Sequence, residues 1–293
     1  MAFKGVYSNK SSFFKGFILL SLIFISSIIH TILAIALVKF FSQGGFDITQ
    51  NYDLGNQLSV NYLKMVQLFS GVGMFIVPSF IYSYLTNFNF NFNKISRQSS
   101  ILVIAIIMLI TPFIGLLLEW NMKIDFPEWI LYFDNNSEAL ILAFLKMESW
   151  LDLLYTILVI AVVPAIGEEL IFRGYLQQKL AKRFGDMNAS IFLTAFLFSL
   201  IHFHFDGLIP RFVLGILLGY LFYWGRSLWL PILAHFVNNA QGVVLSHPFF
   251  QLENQQYSVY SNEKIDPILA LFSLMAVTLL LYIFKQNIAI KKD

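Results

Sequence analysis

The sequence predicts an all-α polytopic membrane protein of about eight transmembrane helices, with both termini cytoplasmic. Three observations carry that expectation. Hydrophobic residues make up 58% of the chain and charged residues only 12%, against about 25% charged in soluble domains. So much apolar surface cannot be hidden inside one globule of 293 residues, and it must face lipid. The apolar residues also gather in runs near the roughly 20 residues that span a hydrocarbon core. Finally, Lys and Arg fall unevenly between the connectors, in the way that fixes orientation.

The spans are expected at 16–38, 66–85, 101–118, 153–172, 189–203, 212–224, 228–245 and 267–284. The N-terminus is basic and then apolar. Its apolar run is too long for a secretory signal and lacks a small-residue cleavage site, so it reads as a retained helix. With the N-terminus inside, 13 Lys and Arg fall on the cytoplasmic side and 6 on the other. The minority set is Lys39, Lys64, Lys123, Lys146, Arg211 and Lys264. An even span count returns the C-terminus to the same side.

The connectors 42–65 and 246–266 read as polar, aromatic-containing outer loops. Residues 87–93 alternate Asn and Phe, which suggests a cytoplasmic turn with rings anchored at the interface. Residues 136–152 mix apolar side chains with Glu138, Lys146, Glu148 and Asp152, as an amphipathic helix on the outer surface would. The chain therefore divides into N-terminal helices and the amphipathic helix (1–150), a core (151–246), and an outer loop with a last helix (247–293). No internal repeat of the kind that builds two-fold transporters is present.

Composition also excludes chemistry. Without cysteine there is no disulfide, thiolate metal site or cysteine nucleophile. A net charge of +2 says little about partners, and no basic patch points to nucleic acid, so none is expected as a partner. The bilayer is the one partner composition requires.

Against this apolar background Glu168, Glu169 and Arg173 stand out, at the end of a run that otherwise reads as a membrane helix. Each ionisable group at bilayer depth costs about 2.5–3.5 kcal/mol on the mildest insertion scale, so three within six residues mark a functional site. Positions four apart share a helix face, and an acid N-terminal to a base is the better order for pairing. Glu169 is thus expected to pair with Arg173. Glu168 points elsewhere and is left for chemistry, where a group must take and give a proton. Pro164 and Gly167 just upstream are expected to loosen the helix.

Two later spans bring further polar groups. Phe198 and His202 are spaced by four, with His204 turned to another face, and His235 shares a face with Asn239. A carboxylate base, imidazoles to hold water and an amide to stabilise an oxyanion make the inventory of a hydrolytic site. Phe198 reads as packing, and His30 and His247 as structural or loop residues. No His-Glu-x-x-His, Gly-x-Gly-Asp or Gly-x-Ser-Gly sequence is present, which removes other intramembrane protease types. A uniform rise of about 1.5 Å per residue, counted from the basic helix ends, puts His202 roughly 8–10 Å outward of Glu168.

Glu-Glu-x-x-x-Arg, then Phe-x-x-x-His, then His-x-x-x-Asn, in that order on three helices, resembles the CPBP family. This family contains the type II CAAX prenyl endopeptidases and the bacteriocin-processing and self-immunity proteins called Abi. The likeness covers 151–245, and all three motifs are present without substitution. It implies an intramembrane endopeptidase acting on a peptide or membrane-protein substrate. By that likeness Glu168 activates a water and His202 helps to hold it. His235 and Asn239 stabilise the oxyanion or position the water, and Glu169 with Arg173 supports the site. Family members have been described as metalloproteases and as metal-free glutamate proteases. In the first version Glu168, His202 and His235 hold a zinc-like divalent ion; in the second no cofactor is required, and the residues favour this one slightly. The family's peptide processing places the chain in a bacterial plasma membrane. A non-catalytic scaffold or immunity protein is an alternative, as is a proton- or ion-coupled transporter using Glu168, His202 and His235.

Overall fold

Helices α5 to α8 wrap a buried charged centre, and the remaining helices shield it. The computed structural model describes residues 3–46, 53–127, 138–250 and 264–290. All regular structure among them is helical: α1 (Ser12–Phe41), α2 (Gln57–Thr86), α3 (Arg97–Asn121), a short α4 (138–145), α5 (Trp150–Phe184), α6 (Met187–Leu200), α7 (Leu208–Gly225), α8 (Trp229–Leu245) and α9 (Pro267–Ile290).

Each of the eight expected spans falls on one of these helices. Six are long and apolar enough to cross a membrane: α1, α2, α3, α5, the segment Phe205–Gly225 containing α7, and α9. Helix α6 has 14 residues and α8 has 17. At 1.5 Å per residue they reach only about 21 Å and 26 Å, short of the roughly 30 Å core. His202 lies in the turn two residues after α6, and His235 and Asn239 lie within α8.

Local sequence sets the helix ends. Ser11, Asn56, Ser96, Ser149 and Asp186 each cap a helix by accepting from backbone N–H groups of its first turn, which satisfies otherwise orphaned donors. Asn87, Gly185 and Arg226 close α2, α5 and α7 in the left-handed conformation. The expected amphipathic helix over 136–152 is shorter than predicted. Residues 138–145 are helical, 146–149 are not, and Ser149 caps the next helix. Residues 47–52 and 251–263 of the two connectors expected to be outer loops, 136–137, and Lys291 and Lys292 lie outside the described residues.

Two prolines reshape the long helices without ending them. A proline gives no N–H to the carbonyl four residues earlier, and its ring crowds that carbonyl. Just before Pro78 and Pro164 the helix widens to π-type turns, at Val72–Ile76 and Ile157–Val162, a recognised relief of such strain. The expected loosening at Pro164 is therefore a widened turn. At Gly167 the reason for glycine is proximity: a Cβ there would come 2.5 Å from Phe75 Cβ on α2.

Small residues also bring α6 and α7 together. A Cβ on Gly215 would meet Ala195 Cβ at 3.0 Å, and one on Gly219 would meet Ile191 at 2.7 Å. Such close backbone approach drives helix association in lipid. It leaves α7 carbonyls within reach of α5: Arg173 Nη2 donates to Gly215 O at 3.0 Å, and Gln177 Nε2 to Gly219 O at 3.1 Å. Both pairs are spaced by four, so two facing helices are stitched in register.

The Asn/Phe stretch 87–93 differs from expectation. Its rings turn inward: Phe90 is buried, Phe88 packs on Tyr82 and Tyr175, and Phe92 on Trp229. The alternation suits an extended strap with one face on the core and the other hydrogen-bonding. The strap holds the turn between α7 and α8, through Asn93 Nδ2 to Arg226 O (2.6 Å), Ser227 Oγ to Asn93 O (2.5 Å) and Leu228 N to Asn91 O (2.9 Å).

Candidate active site

Helices α5 and α6 form a hairpin, and its symmetry sets the first part of the site. The chain reverses at Gly185, whose φ of +70° suits glycine in a tight helix end, and Asp186 starts α6 at once. Glu168 lies 17 residues before Gly185 and His202 lies 17 after it, so the two come level. The offset expected for His202 disappears because the helices are levelled by their shared turn rather than by a common membrane plane.

Glu169 and Arg173 form the expected ion pair, Oε1 to Nη1 at 2.7 Å, with both side chains fully buried. The pair is not isolated. His235 Nδ1 donates to the same Glu169 oxygen at 2.9 Å, and the Arg173 guanidinium lies 4.5 Å from the centre of the Phe198 ring. The planar cation thus has a carboxylate, a carbonyl and an aromatic face, which Lys could not engage together. Phe198 does more than fill space: its ring also meets His202 and His235 edge-on, at 5.0 and 5.8 Å.

Glu168 has a different environment. Its Oε2 lies 3.9 Å from His202 Nε2 and 3.9 Å from His235 Nε2, beyond direct hydrogen bonding. Each imidazole is fixed from behind. His202 Nδ1 is 2.7 Å from Phe198 O; a carbonyl only accepts, so Nδ1 carries the hydrogen and Nε2 a lone pair in the neutral ring. For His235, the Glu169 carboxylate imposes the same tautomer. Two lone pairs and one carboxyl oxygen converge.

Asn239 lines the same cavity but works partly on the scaffold. Pro164 leaves the carbonyl of Ile160 without its usual partner, and Asn239 Nδ2 donates to that carbonyl at 3.1 Å. Asn238 Nδ2 in turn donates to Asn239 Oδ1 at 3.1 Å. The four-residue spacing of His235 and Asn239 on α8 thus serves a proline on α5 as well as the reaction centre.

The carboxyl and imidazole groups open into a cavity of about 500 Å³, within the range of small-ligand sites. Its walls are mainly apolar, with Ile107, Leu140, Phe144 and Leu214 among them, and Gln67, Arg211 and Asn238 add further polar groups to its lining. Sequence reasoning missed these three. The usable signal was the same as for Glu168, a polar side chain inside an apolar helix; Arg211 was instead counted with the outer-face cations. His204 contacts Arg211, Nδ1 to Nη1 at 3.3 Å, and does not line the cavity. His30 bonds Ser26 O at 2.8 Å and His247 stacks on Trp150; both lie away from the site.

The residues do not fit a metal site. Among the described residues no group of three His, Cys, Asp or Glu is placed to hold an ion. A tetrahedral zinc shell with ligand bonds of 2.0–2.2 Å has edges of about 3.4 Å. The separations of 3.9 Å between Glu168 Oε2 and each imidazole nitrogen are wider.

The described residues thus combine helices long and apolar enough to cross a membrane with a buried carboxylate–imidazole cluster at a cavity. Residues 150–241 match a family model described as Type II CAAX prenyl endopeptidase Rce1-like. The matched stretch, about a third of the chain, contains all three motifs from Glu168 to Asn239, so this part of the chain is similar to the type II CAAX prenyl endopeptidases of the CPBP family, a protease family. No curated protein matches the chain, and no solved structure does.

Proposed function

We propose that the protein is an intramembrane endopeptidase in which Glu168 activates the attacking water. The observation that carries this reading is the convergence of two fixed imidazole lone pairs on the Glu168 carboxyl, with Nε2–Oε2 separations of 3.9 Å on both sides. Those distances suit a water that bonds to the carboxylate and an imidazole at once. The water oxygen attacks the scissile carbonyl carbon and its proton passes to Glu168. When the tetrahedral intermediate collapses, the C–N bond breaks and Glu168 returns the proton to the leaving amine. His202 Nε2 accepts the water's second hydrogen, His235 Nε2 flanks the same water, and Asn239 has a second amide N–H for the oxyanion. Glu169 keeps His235 in the required tautomer and is neutralised by Arg173.

The substrate is a peptide or membrane-protein segment reaching the cavity from the bilayer. In the same reading 151–246 is the catalytic core between 1–150 and 247–293, the eight helices cross or dip into the membrane, and both termini are cytoplasmic. The test is Glu168→Gln in purified protein, assayed with a fluorogenic peptide library beside a proton-flux measurement. Loss of cleavage at an unchanged unfolding temperature is expected. Cleavage at the wild-type rate overturns the mechanism, and proton flux without cleavage overturns the peptidase reading.

A further inference from the structure

A peptide bond can be attacked only where the chain is unwound, and unwinding at membrane depth leaves N–H and C=O groups that need partners. We infer that Gln67 on α2 and Asn238 on α8 are those partners: a carboxamide subsite that holds the substrate main chain beside the scissile bond. The inference rests on the peptidase reading and names a part of the site that the three motifs do not contain.

Position supports it first. His235, Asn238, Asn239 and Gly242 recur at three- and four-residue spacing and all line the cavity, so one face of α8 carries both the reaction centre and Asn238. On α2, Lys64, Gln67 and Gly71 share the face turned to α5. Lys64 Nζ donates to Thr156 Oγ1 at 2.8 Å, and the Cβ position of Gly71 is 3.1 Å from Val163. Gln67 lies between those contacts, level with the widened turn around Ile160. The two carboxamides therefore come from different helices, Gln67 at the level of the α5 turn around Ile160 and Asn238 on α8, nearer to His235.

Hydrogen bonding supports it second. Gln67 is an exposed residue that lines the cavity, and it makes no hydrogen bond among the described residues. Asn238 gives one N–H to Asn239, which orients it and leaves its oxygen and other N–H for a further partner. A carboxamide carries donors and an acceptor without charge, so it can pair with either side of a peptide group. An apolar side chain at either position would seal the wall equally well.

The levels give the register. Asn238 lies three residues beyond His235, about 5 Å along α8, and the Ile160 level lies eight residues from Glu168, about 12 Å along α5. An extended chain advances about 3.3 Å per residue. Asn238 then serves a peptide group one or two residues from the scissile bond, and Gln67 one that is three or four residues away on the same side.

An ester scan reads this directly. The best-cleaved peptide of the library, or the tightest-bound if none is cleaved, is remade with single ester-for-amide replacements flanking the scissile bond; each removes one N–H donor and weakens one acceptor. In the wild type, an ester three or four residues away is expected to lower kcat/KM about five- to tenfold, the effect of one hydrogen bond. In Gln67→Leu the all-amide peptide loses that factor and the same ester costs nothing more. Asn238→Leu behaves likewise for an ester one or two residues away. If every ester costs the variants what it costs the wild type, the subsite is wrong. Binding of the same peptides to Glu168→Gln, with and without Gln67→Leu, repeats the comparison without turnover. Ester-sensitive binding with no cleavage by the wild type would remove the peptidase reading and leave the subsite standing; cleavage without ester sensitivity would do the reverse.

Discussion

His235 Nδ1 donates to Glu169 Oε1 at 2.9 Å, and this contact gives two adjacent acids opposite duties. Glu169 faces inward, where a cation and an imidazole N–H meet one of its oxygens. Glu168, one residue earlier and about 100° around the helix, meets only the lone-pair side of the same ring.

Exchanging each acid for its amide separates the two roles. Glu169→Gln strands the fully buried Arg173 without its countercharge, and removing one partner of a buried pair costs about 3 kcal/mol or more. A clear fall in unfolding temperature in detergent is expected, with activity lost as a consequence. Glu168→Gln breaks no hydrogen bond or close ion pair, so it is expected to unfold like the wild type while cleavage disappears. Equal stability loss in both variants would show that the acids are not divided in this way.

Arg173 offers a test of whether that cation is structural. Arg173→Lys keeps the charge but cannot serve Glu169 Oε1, Gly215 O and the Phe198 face together, and a loss of about 2 kcal/mol is expected. Replacing the pair jointly, as Glu169→Leu with Arg173→Met, removes both buried charges and is expected to cost less than Glu169→Gln alone. Thermal unfolding of the three variants decides it; a double variant no more stable than Glu169→Gln would mean the pair contributes net stability.

The membrane class and the motif residues were legible because lipid penalises charge. Glu168, Glu169 and Arg173 declared themselves by their cost, and i,i+4 spacing alone gave the Glu169–Arg173 pair. The convergence of His202 and His235 was not legible, since it depends on where α5 turns into α6 and on the strap that sets the height of α8. Spacing within one helix says nothing of either. Gln67 and Asn238 escaped for a related reason: an uncharged carboxamide raises no alarm in a hydropathy profile, and only the cavity reveals its exposure. The short α6 and α8 read as spans because hydropathy counts apolar residues, and their lengths of 14 and 17 residues are visible only in the structure.

Asn239 links a proline on α5 to a turn of α8. Asn239→Leu removes the donor to Ile160 O that Pro164 makes necessary, and an unsatisfied buried carbonyl costs about 1–3 kcal/mol. If that is its main structural duty, adding Pro164→Ala, which restores a backbone N–H, is expected to recover most of the lost stability but not the lost activity. Unfolding and cleavage measured on the single and double variants separate the two. Recovery of neither would remove the capping role.

Orientation can be read without altering the native chemistry, because the chain has no cysteine to mask. Single cysteines at Lys182, just before the α5–α6 turn, and at Lys264, before α9, are expected to react with a membrane-impermeant maleimide from opposite sides of intact vesicles. Labelling from the same side would overturn the arrangement with both termini cytoplasmic.

Among the described residues Lys64 is the fully buried cation outside the site, and its hydrogen bond is to a neutral group, Thr156 Oγ1 at 2.8 Å. Its ammonium also lies 5.9 Å from the Phe144 ring centre, and Thr156 is within 3.4 Å of Phe144 O, so the contact fastens α4 to α2 and α5 beside the cavity. A hydroxyl and a ring face offset little of the cost of removing a charge from water. Lys64→Met keeps the length and apolar stem and discards the charge. The carboxylate felt nearby, Asp152, is already held by Ser149 Oγ at 2.9 Å, so the substitution does not strand it. An unfolding temperature equal to or above that of the wild type is therefore expected. A marked drop would mean that Lys64 is neutralised more effectively than its hydroxyl partner can explain, and that the contact with α4 contributes to stability through charge rather than packing.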